Sequence, residues 1–180
     1  MKPHFAFVAV IVVVGWALVA LPASEDAKVP ETIAAPAGFQ KLLLSVEARG
    51  VQIYKAEAGD DGKLKWVHQA PVADLFDSKG KKIGYHYAGP SWETLDGSKV
   101  AKGESTKAVP VDAPNKSDDV PWLLIKVNSA DVMPGTLSDA AYVQRLKTKG
   151  GVPPRDAPKR AGTIVGVPYT AEYRFYGKSE

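Results

Sequence analysis

Residues 83–93, Ile-Gly-Tyr-His-Tyr-Ala-Gly-Pro-Ser-Trp-Glu, bring four aromatic side chains to the flanks of one Gly-Pro turn: Tyr85, His86, Tyr87 and Trp92. An imidazole with an ordinary pKa near ~6.5 can accept a proton or ligate a metal. His86 is therefore the candidate general base, with Glu93 or Asp96 as the carboxylate that would orient it. Tyr85, His86, Tyr87 and Trp92 together also read as a ligand-binding surface, because aromatic rings offer a sugar or another flat molecule a large contact area at little entropic cost. Strand alternation limits both readings. Tyr85 and Tyr87 share one face and His86 points to the other, so the turn must re-aim one set if all four are to line one pocket; burial of the tyrosine pair in the core is the plainer alternative.

Little else in the chain has the spacing of a catalytic motif. His68 is the other histidine beyond the N-terminal apolar run, and it could complete a metal site with His86 and Glu93 or Asp96. No His-x-His or His-Glu-x-x-His pattern occurs, so no metal is expected. Asp74, Asp77 and Asp96 are accounted for by turns, which select aspartate. Residues 147–151, Lys-Thr-Lys-Gly-Gly, lack the residue order of a phosphate-binding loop. Arg145 and Lys147 fall in phase on an alternating run, where cations protect strand edges from aggregation. Trp66 and Trp122 lie in apolar runs and are expected in the core. With no cysteine, the chain can hold no disulfide and do no thiol chemistry. The formal net charge of +3 is scattered along the chain, which gives no reason to expect a nucleic-acid partner.

The elements that must position these residues are strands. Lys2 precedes an unbroken apolar stretch from Phe5 to Leu21 that ends at Pro22-Ala23-Ser24, the pattern of an export signal over residues 1–23. The working protein is then extracytoplasmic, periplasmic or secreted, with no membrane attachment once the signal is cleaved. Residues 24–38 are rich in Ala, Pro, Glu and Lys and read as a flexible lead. Residues 39–177 read as a single β domain. Within it, apolar residues recur with period two, and Gly59-Asp60-Asp61-Gly62, Asp77-Ser78-Lys79-Gly80 and Asp96-Gly97 interrupt them as hairpin turns. The Lys102–Asp119 stretch has no period and reads as an exposed crossing loop. Trp122-Leu123-Leu124-Ile125 reads as a strand buried on both faces. The predicted fold is all-β: an antiparallel β-sandwich or partly closed barrel of about nine or ten short strands with long loops.

Gly50-Val51-Gln52-Ile53-Tyr54, the turn from His86 to Trp92, Asp96-Gly97-Ser98, Pro121-Trp122-Leu123-Leu124, the run from Gln144 to Gly151, and Val167-Pro168-Tyr169-Thr170-Ala171 ahead of Tyr173 and Phe175 occur in that order. In these motifs the chain resembles the domain of unknown function 3455 family. The resemblance implies export and brings no assigned activity. Some fungal members are labelled malate dehydrogenase, but a dinucleotide site needs a G-x-G-x-x-G turn between strand and helix, and none occurs here, so no cofactor is expected. Many members resemble one another in two cysteines at positions corresponding approximately to Ala56 and Ala157. Their joint absence implies the loss of a structural cross-link rather than of a catalytic thiol.

The leading expectation is an exported β domain without enzymatic activity that binds a small molecule, glycan or envelope component at the aromatic turn. The alternatives are a small-substrate hydrolase or isomerase using His86, and a structural or stress-related envelope protein. The third would show itself by full burial of His86 and Trp92 with no adjoining pocket. Ligand identity and oligomeric state are not written in the sequence.

Overall fold

The computed structural model describes residues 28–103, 108–130 and 134–180. The export signal over residues 1–23, residues 24–27 of the lead and residues 104–107 of the crossing loop lie outside the described residues. The fold is all-β. Nine strands, β1 (Lys41–Ala58), β2 (Leu64–Phe76), β3 (Lys82–Tyr87), β4 (Ser91–Thr94), β5 (Lys99–Lys102), β6 (Val109–Val111), β7 (Trp122–Ser129), β8 (Ala140–Gly150) and β9 (Ile164–Gly177), pair antiparallel in one sheet. The order is β5-β4-β3-β2-β1-β9-β8-β7-β6, and β5 pairs with β7 as well, so the ladder returns on itself as a ring. Strand β6 sits beside β5 on the same edge of β7.

The three hairpin turns fall where the Gly and Asp clusters predict them. At the second, the Asp77 carboxylate accepts from the backbone N–H of Lys79 and Lys81, both at 2.9 Å, which fixes the turn by an Asx bond. Not every strand is short: β1 runs for 18 residues and β9 for 14. Gly50 does not interrupt β1, because its bare Cα is what lets β2 approach; a Cβ there would lie 2.1 Å from the Val72 carbonyl oxygen.

Alternation sorts the side chains. Val46, Ala48, Leu75, Trp92, Val100, Val143 and Phe175 face the ring interior and form the main core. Strand β7 is buried on both faces, as its contiguous apolar run predicts. Ile125 and Val127 enter the main core, while Trp122 and Leu124 turn outward into a second cluster with Ile33, Ala113 and Leu146. That cluster corrects two expectations. The described part of the lead is docked: Glu31–Ile33 forms a 3-10 turn, Ile33 is fully buried, and its carbonyl accepts from the Gln144 side chain. Ile33, with Val29 beside it, covers the outward apolar face of β7 together with Ala113, Val111 and Leu146. The crossing loop contains β6, whose Pro110 is tolerated because an edge strand needs no donor there. Trp66 is only half-buried; its indole N–H donates to the Asp156 carbonyl at 2.9 Å and ties down the Pro-rich loop instead of filling the core.

Candidate functional site

Strands β3 and β4 place His86 and Trp92 opposite one another on the inward face. The turn between them depends on Gly89, which sits at φ 130°, where a side chain is strained, and where a Cβ would lie 2.6 Å from the Ser91 hydroxyl. The His86 ring stacks on Trp92 with centroids 4.5 Å apart and planes 10° apart, and meets Tyr173 edge-on at 4.9 Å. Its Nδ1 lies 2.8 Å from the Ser91 carbonyl oxygen. A carbonyl can only accept, so Nδ1 carries the proton. Burial drives the His86 pKa down to about 3, far more strongly than the Ser91 bond opposes it. The ring is therefore a neutral imidazole whose Nε2 is a bare acceptor.

The other aromatic residues of the turn lie on the outer face. Tyr85 is 41% exposed, with the Lys82 ammonium 4.2 Å from its ring centroid. Tyr87 donates its hydroxyl to the Glu93 carboxylate at 2.5 Å. The turn thus divides the four rings into an inner pair, His86 and Trp92, and an outer pair, and the tyrosines are not core residues. Glu93 faces outward with Tyr87. Asp96 accepts from Thr94 Oγ1, the N–H and Oγ of Ser98, and the N–H and Oγ1 of Thr136. These donors, led by the Thr136 and Thr94 hydroxyls, hold its carboxyl far below the usual carboxylate range. Neither Glu93 nor Asp96 is brought to His86, so the dyad that base chemistry would need is not assembled.

What His86 and Trp92 do adjoin is a cavity of about 410 Å³ at one end of the ring, a size that suits a small organic molecule. Pro71, Pro90, Leu123 and Ile125 give it an apolar wall, and Gln52, His68, Lys102, Arg145 and Tyr173 line the polar remainder. Among the described residues, none that lines it is acidic. Gln52 comes inward from β1 because it shares the phase of Tyr54, and its side-chain carbonyl accepts from His68 Nε2 at 2.7 Å. Among the described residues, the Gln52 amide nitrogen, the Trp92 indole nitrogen and the Tyr173 hydroxyl are buried without a hydrogen-bond partner. The Tyr169 hydroxyl lies near enough to Tyr173 and Gln52 for both to influence its ionisation, yet it too lacks a bond of good geometry.

Arg145 enters from β8, across from Leu123 on β7 and Tyr173 on β9. Its Nε donates to the Pro121 carbonyl at 3.0 Å. Its charge is felt throughout the site. It adds to the desolvation that lowers the His68 and His86 pKa values, and opposes the larger burial effect that raises those of Tyr54 and Tyr169. Period two places Arg145 with buried Val143, and this signal could have found it. The expected pairing of Arg145 with Lys147 fails at a bulge between Leu146 and Lys149, where Lys147 takes φ 48° and turns out to meet Glu172 at 3.2 Å. Among the described residues, no group of three His, Cys, Asp or Glu side chains is placed to hold a metal, and His68 and His86 meet only as walls of the same cavity.

These features define a class: an all-β ring with a partly polar cavity inside one end. The chain belongs to the protein family of unknown function DUF3455, whose family model matches residues 36–177. No curated protein and no solved structure matches the chain. Ala56 is buried on β1, and Ala157 is exposed on the loop that Trp66 ties down.

Proposed function

We propose that this protein binds a small molecule inside the cavity flanked by His86 and Trp92, as an extracytoplasmic β domain without catalytic activity of its own. The observation that carries this reading is the cavity of about 410 Å³ beside His86 and Trp92, walled by Pro71, Pro90, Leu123 and Ile125 and by the polar side chains of Gln52, His68, Lys102 and Arg145. A purely packed aromatic turn would not need the adjoining space. The extracytoplasmic part of the proposal is supported by Lys2 and the apolar run from Phe5 to Leu21.

The test is thermal unfolding of residues 24–180 against small organic acids, sugars, nucleotides and metals, with wild type beside His86→Gln and Trp92→Phe. These conservative changes are chosen because Trp92→Ala would cost about 3–5 kcal/mol through cavity formation alone and obscure binding. A saturable rise in Tm with one class, reduced in both variants, is the expected result. No rise with any class would overturn the reading.

A further inference from the structure

We infer that the guest of this cavity is a small organic anion, whose carboxylate or phosphate is held by Arg145 and Lys102 while an apolar or aromatic body lies against Trp92, Leu123 and Ile125. This rests on the binding reading above and goes beyond it by assigning charge. Among the described residues no Asp or Glu lines the cavity, whereas Arg145 and Lys102 both do. Arg145 is half-buried, and among the described residues no carboxylate pairs with it. Among the described residues its one hydrogen bond runs from Nε to the Pro121 carbonyl, and this bond orients the guanidinium without neutralising it. A partly desolvated guanidinium lacking a counter-charge is costly, and its fork matches the two oxygens of a carboxylate or phosphate.

The neighbouring groups agree in sign. The other polar side chains on the lining, Gln52, His68, Gln69, His86 and Tyr173, include no carboxylate. His68 donates its Nε2 proton to Gln52 and thereby holds that amide in place. His86 remains neutral and presents Nε2 as an acceptor, so it offers a bond to a hydroxyl or N–H on the body of the guest instead of competing with Arg145 for its charge. The His86–Trp92 stack, together with Pro71 and Pro90, supplies the apolar surface.

The experiment titrates the protein calorimetrically with benzoate, phenyl phosphate and the neutral isostere benzamide, using wild type, Arg145→Gln, Arg145→Lys and Lys102→Gln; Arg155→Gln, an exposed cation paired with Asp118, is the surface control. Benzoate or phenyl phosphate should bind at least about tenfold tighter than benzamide, and Arg145→Gln should weaken the anion by roughly tenfold to a hundredfold, as loss of a charged hydrogen bond does. Preference for benzoate or for phenyl phosphate identifies the anion as carboxylate or phosphate, and either supports the assignment. Arg145→Lys should recover part of the affinity, and Lys102→Gln should weaken binding even if Arg145→Gln does not fold. Equal binding of benzamide and benzoate, unchanged in Arg145→Gln or Lys102→Gln, would overturn the charge assignment and leave the cavity as a neutral binding site. Binding lost equally in Arg155→Gln would overturn it as diffuse surface attraction. Binding of none of the three probes would overturn the anion assignment, while a rise in Tm with a sugar or nucleotide would still uphold the binding reading.

Discussion

His86 shows how a single residue combines function-like chemistry with a structural cost. In the unfolded chain its imidazole titrates near ~6.5; in the folded protein burial holds the value at about 3. Between those limits the unfolded state binds the extra proton, so stability is intact above pH ~6.5 and falls as pH drops below it, by up to about 1.4 kcal/mol per pH unit. Denaturant unfolding between pH 7 and 5 should therefore give a shallower decline for His86→Gln than for wild type; parallel curves would mean that His86 does not set this slope. Alternation alone separated His86 from Tyr85 and Tyr87 in the sequence. Arg145 was less legible, because strands β1, β3, β7 and β8 meet at its cavity, and no local pattern states that long-range pairing. Its phase with Val143 made an inward position readable, but the bulge that expels Lys147 had no sequence signal.

Turns and short connections do more than reverse the chain here. Asp96 joins the β4–β5 turn to the segment ahead of β8 by accepting from Thr136, 40 residues away, at 2.8 Å from its N–H and 2.6 Å from its hydroxyl. Ser98 extends the link by accepting from the Leu137 N–H at 3.0 Å. Asp96→Asn keeps the shape but removes the charge and turns one acceptor into a donor facing donors. It should cost about 2 kcal/mol in chemical denaturation, the scale of a hydrogen bond to a charged group. A loss below ~0.5 kcal/mol, typical of an unremarkable surface change, would show that the link does not hold the two segments together. The hairpin itself was legible from Asp-Gly, whereas its partner Thr136 was not, since nothing local distinguishes a hydroxyl that reaches across to another element. The docked lead was missed for a related reason: composition averages hid Ile33 and Val29, the apolar residues that pack there.

At the scale of the whole molecule, the ring is closed by contacts between residues far apart in sequence. Strands β1 and β9 share the longest ladder, pairing Lys41 with Gly177 and Lys55 with Ile164, and β5 meets β7 through residues 100–102 and 127–129. All-β chains with such long-range pairing fold in milliseconds to seconds, because loop-closure entropy must be met before the contacts form. Stopped-flow refolding followed by tryptophan fluorescence should place the main phase in that range; a microsecond phase carrying the whole amplitude would contradict closure of the ring as the slow event. Period two and the turn residues made the all-β class readable. The closure was not, because β5 and β7 are neither adjacent in sequence nor marked by a shared motif.

The β1–β9 ladder also sets an order in time. A chain leaving the ribosome completes β1 more than a hundred residues before β9 is made, an interval on the order of ten seconds at ordinary synthesis rates. Throughout that interval β1 can pair with β2 but has an open second edge, and the inward faces of Val46, Ala48 and Gln52 lack the tyrosines and Phe175 that later cover them. The nascent protein therefore exposes a long, unpaired strand until β9 appears, which makes early synthesis the stage at which it most needs protection from pairing with other chains.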